Sequence, residues 1–113
     1  MGARTRADLI HDLYGVDCQT NLGGLTDTVG ASATQLLRIG PNRLALTIVN
    51  NSATTVYVHP TNDVSSSLGV VLAAGGGNLE LNWRDDFDVV GLEWWAVAAV
   101  AGAKVTIYEV VAR

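Results

Sequence analysis

The side chains that could support metal or nucleophilic chemistry are few in this sequence. His11 and His59 are the only histidines, and Cys18 is the only cysteine. A zinc or iron centre on a small β protein needs several histidines and a carboxylate on adjacent strands, so one subunit lacks the ligands. The serines at 65–67 lie in a polar loop without the histidine and acid that activate a nucleophile, and Cys18 is interpreted as a small apolar contact. The sequence therefore predicts no catalytic residue, no metal site and no cofactor.

One local concentration of carboxylates occurs in the chain. It comprises Asp85, Asp86, Asp88 and Glu93. Paired carboxylates can act as acid and base on glycosides, and clustered carboxylates can bind calcium. The spacing lacks the Asp-x-Asp-x-Asp-Gly pattern of a dedicated calcium loop. The sequence therefore favours a turn at 84–86 whose carboxylates accept hydrogen bonds from backbone N–H groups.

Five aromatic side chains could form a stacking surface for a sugar. They are Tyr57, Trp83, Trp94, Trp95 and Tyr108. Neighbouring residues of a strand point to opposite sides, so we expect one of Trp94 and Trp95 to lie in the core and the other to anchor an interface. The sequence favours this interpretation, and the sugar platform stays as the alternative.

Length, composition and charge limit the class of protein. The 113 residues suffice for one compact domain, and a chain that is 49% hydrophobic and 16% charged is not a disordered one. Acids outnumber bases and give a net charge of −4, which disfavours the basic face of a nucleic-acid-binding domain. The longest apolar run, 94–101, is shorter than the roughly 20 residues of a membrane helix. We therefore expect a soluble protein with no nucleic-acid or membrane partner, made in a cytoplasm, whose low charge suits packing against neighbours.

The pattern of the sequence changes at about residue 30. Residues 1–30 predict an N-terminal arm, with a short amphipathic helix at 3–14 that ends at Gly15 and an extended segment after it. Residues 31–113 predict an all-β domain, because short apolar runs alternate with turn residues. About eight strands of this kind are typical of a jelly-roll or Greek-key β-sandwich. The expected strands are 34–39, 43–50, 54–59, 69–74, 78–83, 86–90, 93–100 and 104–111.

Alternation within the strands predicts which side chains face the core. Leu44, Leu46 and Ile48 share one face of their strand, whereas the last two strands carry apolar residues on both faces. Their outer side therefore needs a cover, which is either the arm or another subunit. The expected residues of the oligomer interface are Trp94, Trp95, Val97, Ile107 and Tyr108. The expected docking residues of the arm are Leu9, Ile10, Leu13, Leu22 and Leu25.

Several short segments between residues 42 and 111 form a recognisable pattern: NRLALTIVNNS at 42–52, VYV at 56–58, GVVL at 69–72, AGGG at 74–77, Trp83, DF at 86–87 and EWWAV at 93–97. This pattern resembles small structural proteins of tailed bacteriophages. It resembles in particular capsid decoration, or cement, proteins, and also β-sandwich modules of phage heads and tails. No likeness extends to the N-terminal arm, whose docking residues would then contact the capsid.

This resemblance implies a non-enzymatic virion protein, often a homotrimer, that binds the major capsid protein and stabilises the shell. A cement protein works by adding buried area across the joints between capsid subunits, and apolar faces of low charge suit that role. We therefore expect the chain on the capsid surface of a virion, after synthesis in the host cytoplasm. Two alternatives stay open. One is a glycan- or receptor-binding module of a head fibre, spike or tail, and the other is a small cupin-like enzyme, which would need a metal.

Overall fold

A computed structural model describes His11, Leu13, Gly15 and residues 18–112 of the chain. These residues form two four-stranded antiparallel sheets, which confirms the all-β prediction. A short α-helix and a 3-10 helix, Phe87–Gly91, lie between two of the strands. The elements in chain order are β1 (Cys18–Val29), β2 (Thr34–Leu37), β3 (Arg43–Asn50), β4 (Val56–His59), β5 (Val70–Leu72), β6 (Asn78–Asn82), α1 (Trp83–Asp86), β7 (Trp94–Ala98) and β8 (Ala103–Ala112).

The two sheets share one hydrophobic core. Sheet A has the order β1-β8-β3-β6, and sheet B has the order β2-β7-β4-β5. Every second side chain of the central strands points inward, so the two inner faces meet as the strand period of two requires. The buried residues include Leu46, Ile48, Val105 and Ile107 from sheet A and Val56, Val58, Trp94 and Ala96 from sheet B.

Asn50 is a polar residue inside this core. The two hydrogens of its Nδ2 are shared among the carbonyl oxygens of Thr54, Leu72 and Ala73, at 2.8, 2.9 and 3.2 Å. Its Oδ1 accepts from the backbone N of Ser52 at 3.0 Å and from the Ser52 hydroxyl at 2.7 Å. Because both ends of the amide are paired, its burial ties the turn after β3 to β5 without leaving an unsatisfied group.

β1 is a strand where the sequence predicts part of an arm. It pairs with β8 along the edge of sheet A, and the register shifts between Asn21 and Leu25. Two additional residues on β1 form a bulge at this point, where Gly23 and Gly24 lie. The bulge interrupts the period of two that identifies a strand from its sequence. Residues 18–29 therefore belong to sheet A, and the predicted boundary at residue 30 does not separate the arm from the sandwich.

The described part of the predicted helix is small. His11 and Leu13 are helical, and the backbone N of Gly15 donates to the carbonyl oxygen of His11 at 2.7 Å. Gly15 has a φ of 68°, which is the left-handed conformation that commonly ends a helix. Leu9 and Ile10 lie outside the described residues.

The strand predicted at 86–90 is wrong. Asn82 starts a helical turn instead, because its side chain accepts from the backbone N of Asp85 at 2.9 Å. The backbone N of Asn82 donates in return to Asp86 Oδ2 at 3.0 Å. The expected turn at 84–86, with a carboxylate accepting from a backbone N–H, is confirmed, but it continues into the 3-10 helix. The other seven expected strands correspond to β2–β8.

Candidate functional site

The residues that could support chemistry are dispersed over the described part of the chain. There, no group of three His, Cys, Asp or Glu side chains could hold a metal ion. Asp85 and Asp86 bond to Asn82 at the start of α1, and Glu93 accepts from Gln35 Nε2 at 3.3 Å. Within the same residues, no helix has the length and apolar character needed to cross a membrane.

The loop after His59 contains Asp63, a carboxyl with a lowered pKa. The Thr61 hydroxyl donates a hydrogen bond to Asp63 and holds the pKa of that exposed carboxyl below its ordinary value. His59 acts in the same direction through its charge, with a smaller effect. Asp63 is thereby kept ionised in a solvated loop, which does not suit it to be a general acid.

An apolar groove lies at the end of the sandwich where β3 begins. It has a volume of about 400 Å³, and we call it the end groove. Phe87 on its rim is 76% exposed, and Ile39 and Leu92 are also exposed. Large exposed apolar side chains gathered at one place indicate an interaction surface. The apolar lining comes from Ile39, Leu44, Trp83, Phe87, Val90 and Leu92.

Phe87 has an unfavourable backbone conformation. Its φ of 47° and ψ of −122° match the first central position of a type II′ turn, which glycine favours. Among the described residues it is the one non-glycine with a positive φ. A bulky residue in such a conformation costs about 1–3 kcal/mol. Because the ring is mostly exposed, core packing does not account for this strain, and the conformation instead presents the ring at the groove.

We expect Phe87→Gly to stabilise the isolated subunit by about 1 kcal/mol, because glycine adopts this backbone conformation without strain. The larger conformational entropy of glycine in the unfolded chain offsets part of this stabilisation. The free energy of unfolding in urea measures the effect. Val89→Gly is the matched control in the same 3-10 helix, and it should destabilise the subunit because its φ is not positive. A Phe87→Gly subunit as unstable as the Val89→Gly subunit would show that the ring packs on its own subunit.

Arg43 fixes the segments that carry the groove. Its side chain is buried, and its Nε donates to Glu109 Oε2 at 2.7 Å. Its Nη1 donates to the carbonyl oxygens of Val90 and Leu92, each at 3.1 Å, and its Nη2 donates to the carbonyl oxygen of Arg38 at 3.0 Å. One guanidinium thus joins β8, the 3-10 helix and the chain before β3 through charge-assisted hydrogen bonds.

Two glycines allow the segment before β3 and the end of the 3-10 helix to approach each other closely. The backbone N of Gly40 donates to the carbonyl oxygen of Gly91 at 2.9 Å. A Cβ on Gly91 would lie 2.7 Å from the Gly40 carbonyl oxygen, and a Cβ on Gly40 would lie 2.9 Å from Arg43 Nη2. Both distances are too short for a side chain, so glycine is required at this contact.

A β-bulge at Leu44 orients Arg43. Arg43 pairs with Val111 and Ala45 pairs with Val110, so β3 has one additional residue here. Regular alternation would turn Arg43 to the outer face, whereas the bulge turns it inward. Leu44 is consequently half-buried and lines the end groove. The prediction that Leu44 joins Leu46 in the core is wrong for this reason.

The structure places the predicted interface residues in the core and on the outer faces of both sheets. Trp94 is 3% exposed, and Ile107 is also buried, so both belong to the core of one subunit and not to an outer face. Trp95 and Val97 are half-buried on the outer face of sheet B, and Tyr108 lies on the outer face of sheet A. The expectation that Trp94 and Trp95 point to opposite sides is confirmed, because the strand period of two separates them.

The outer face of sheet B is a second apolar surface. Tyr57 is paired with Val97 on one side and with Val71 on the other, and Trp95 lies on the same face. Val71 is exposed on the edge strand β5. A depression of about 620 Å³ adjoins this face. We call this surface, defined by Tyr57, Val71, Trp95 and Val97, the sheet B face.

Of the predicted docking residues of the arm, Leu13, Leu22 and Leu25 lie in the described part of the chain. Leu13 is 73% exposed. Leu22 and Leu25 lie on β1, and the backbone of Leu25 pairs with Ile107. Of the residues that line the end groove, the sequence analysis singled out Trp83 as part of a possible sugar platform, but it assigned no role in binding to Phe87. The position of Phe87 among acidic residues was the available signal of an exposed ring.

Comparisons of the chain with protein-family models, with curated proteins and with solved structures gave no match. Function is therefore inferred from the two apolar surfaces, the end groove and the sheet B face, and from the residues that hold them in place.

Proposed function

We propose that this chain is a non-enzymatic virion protein that decorates the capsid of a tailed bacteriophage and stabilises it across the joints between capsid subunits. The observation that carries the proposal is the presence of two separate apolar surfaces on one small subunit. A homotrimer bound to a shell needs both, one for the neighbouring copy and one for the major capsid protein. Symmetry then multiplies each contact, so that modest surfaces give firm attachment.

We infer a jelly roll within the all-β fold. The antiparallel pairs β1–β8, β2–β7, β3–β6 and β4–β5 each join an early strand to a late one, and neighbouring pairs alternate between the two sheets. A long hairpin folded across two sheets has this order. Viral capsid domains use jelly rolls, but lectins and cupins use them too, so the fold supports the proposal without deciding it.

Rigidity at the end groove also supports a binding role. Arg43 and the Gly40–Gly91 contact hold the groove in one conformation before any partner arrives. A preorganised apolar surface loses little conformational entropy on binding, so more of the burial appears as affinity. The strained, exposed Phe87 is the anchor expected at the centre of such an interface.

Co-sedimentation with capsids of the phage that encodes the chain tests the proposal. We expect saturable binding at a fixed number of copies per capsid, and decorated capsids should rupture at a higher temperature than bare ones. Val71→Asp should abolish binding, because it puts a charge on the sheet B face, whereas Val100→Asp in the exposed turn after β7 should not. A wild-type chain that stays in the supernatant at every concentration would refute the proposal.

A glycan- or receptor-binding module of a head fibre, spike or tail is the second candidate. One observation favours it: Trp83 is 43% exposed at the end groove, and the Arg84 guanidinium lies 5.6 Å from the centroid of its ring. An exposed indole beside the Asp88 carboxylate is a surface on which a sugar can stack and bond.

Under this second candidate, a glycan found on an array should quench the tryptophan fluorescence of the full chain. The quenching should be lost in Trp83→Phe and kept in Trp95→Phe, because only Trp83 lines the end groove. Absence of binding to every glycan on the array would remove this candidate. The third interpretation, a cupin-like enzyme, gains no support from a metal-ligand cluster in the described residues.

A further inference from the structure

We propose that the end groove receives the N-terminal segment, residues 4–14, of a second copy of this chain. The inference rests on the proposed function, since it assigns one of the two apolar surfaces to assembly of the homotrimer. The sheet B face is then the surface available to the shell. Each copy would complete the groove of its neighbour, so that the groove of an isolated subunit lacks its partner residues.

The segment and the groove are complementary in chemistry. Apolar residues at positions 7, 10, 13 and 14 have the spacing of one helical face, and they follow two arginines, Arg4 and Arg6. The end groove is apolar inside, and its lining includes the exposed Asp88. A helix that lays its apolar face in a groove is a common mode of recognition. Opposite charges favour one orientation of the segment, with the arginines towards the Asp88 carboxylate.

The N-terminal segment leaves the sandwich at the end that carries the groove. Cys18, the first residue of β1, pairs with Ala112. Ala112 in turn donates its backbone N to the carbonyl oxygen of Asn42 at 2.7 Å and accepts from Asn42 Nδ2 at 2.8 Å. Asn42 follows Pro41, which lines the end groove. Neighbouring strands lie about 4.8 Å apart, so Cys18 is within about 10 Å of this edge of the groove.

The exposure of Leu13 indicates a second copy and not the segment's own groove. Leu13 is 73% exposed in the single chain, and Phe87 is 76% exposed. The side chains of Leu13 and Phe87 thus both stay exposed in one subunit. The five peptide steps from Leu13 to Cys18 can span up to about 17 Å, so chain length would allow Leu13 to approach the groove of its own subunit. Docking of the N-terminal segment of each copy on the end groove of another copy would cover both side chains. A heterologous contact in which each copy docks on the next closes into a ring, as a homotrimer requires.

A mixed disulfide experiment tests the exchange on the full chain. In a Cys18→Ser background, an affinity-tagged Leu13→Cys chain is mixed with an untagged Phe87→Cys chain and oxidised. We expect a covalent tagged–untagged dimer at a yield about tenfold above that of Leu13→Cys with Val100→Cys, because docking raises the local thiol concentration to the millimolar range. Val100 is also well exposed, at 65%, but it lies in the turn after β7, at the other end of the sandwich. Equal yields for the two mixtures would overturn the inference.

A double variant and a mass measurement separate the remaining outcomes. If Leu13→Cys/Phe87→Cys in one chain closes an internal disulfide at monomer mass, the segment docks on its own groove and the inference is wrong.

Light scattering should give a trimer for the wild-type chain and for Val100→Ser. It should give a monomer for Phe87→Ser, whose circular dichroism should be unchanged. A monomeric wild-type chain that still binds capsids overturns this inference alone. A cross-linked trimer that does not bind capsids overturns the proposed function alone.

Discussion

Replacing Arg43 with methionine is expected to destabilise the subunit by about 3–5 kcal/mol, because the change takes the guanidinium away from the buried carboxylate of Glu109. Glu109 is largely buried beside Arg43, and the guanidinium also serves the carbonyl oxygens of Arg38, Val90 and Leu92. Methionine fills much of the volume of arginine, so the loss comes from the missing donors and not from a cavity.

Urea unfolding of three variants measures this prediction. Arg38→Met removes an exposed arginine from the same loop and should change the free energy of unfolding by less than about 0.5 kcal/mol. Arg43→Met/Glu109→Met should be more stable than Arg43→Met alone, since the double variant also removes the buried carboxylate that Arg43 neutralises in the wild-type chain. An Arg43→Met subunit within about 1 kcal/mol of wild type would mean that water or the loop repairs the site.

The Arg43→Met variant should also weaken binding at the end groove. Arg43 bonds to the carbonyl oxygens of Val90, which lies in the 3-10 helix, and of Leu92, which follows it, so the loss of Arg43 frees this helix from the body of the sandwich. A groove that must be ordered on binding has a lower affinity than a preorganised one. We infer that the buried ion pair is kept for the conformation of the end groove, because a well-packed apolar pair at this position would serve stability equally well.

The core could be predicted from the sequence because its strands follow a regular period. Leu46, Ile48, Val56 and Val58 alternate with less apolar residues, and nothing local competes with that pattern. The opposite placement of Trp94 and Trp95 follows from the same rule. Trp94 and Ile107 were nevertheless expected in an interface, since a strand that is apolar on both faces does not show which face is the inner one.

The candidate site could not be predicted because it depends on departures from that period. The bulge at Leu44 reverses the facing of Arg43, and no residue type in the segment requires a bulge there. Phe87 lies between the helical turn that Asn82 caps and the 3-10 helix that Arg43 holds, and the Arg43 hydrogen bonds join residues far apart in the sequence, so they need the folded chain. β1 was missed for a similar reason, since its paired glycines break the alternation. Local pattern rules fail at such positions, which are often functional or strained.

Trp94→Ala is expected to destabilise the subunit by about 3–5 kcal/mol, because it removes a large side chain from the core. Trp94 is almost fully buried, but its indole Nε1 has no hydrogen-bond partner among the described residues. Part of the packing gain is therefore offset by an unsatisfied donor. Trp94→Phe should accordingly cost less than about 1.5 kcal/mol, since phenylalanine keeps most of the apolar volume and removes the donor.

Trp95→Ala should give the opposite result, because this neighbour is half-buried on the sheet B face. The variant subunit should remain folded, and its attachment through that face should weaken by tenfold or more, the effect of about 1.4 kcal/mol at an aromatic anchor. Circular dichroism and urea unfolding report the fold, while light scattering and capsid co-sedimentation report the two kinds of attachment. Loss of shell binding with an intact trimer places the sheet B face on the capsid, as the exchange of N-terminal segments requires. Loss of the trimer instead places Trp95 between subunits. If Trp95→Ala leaves both the trimer and capsid binding intact, the sheet B face has no role in assembly or in capsid binding.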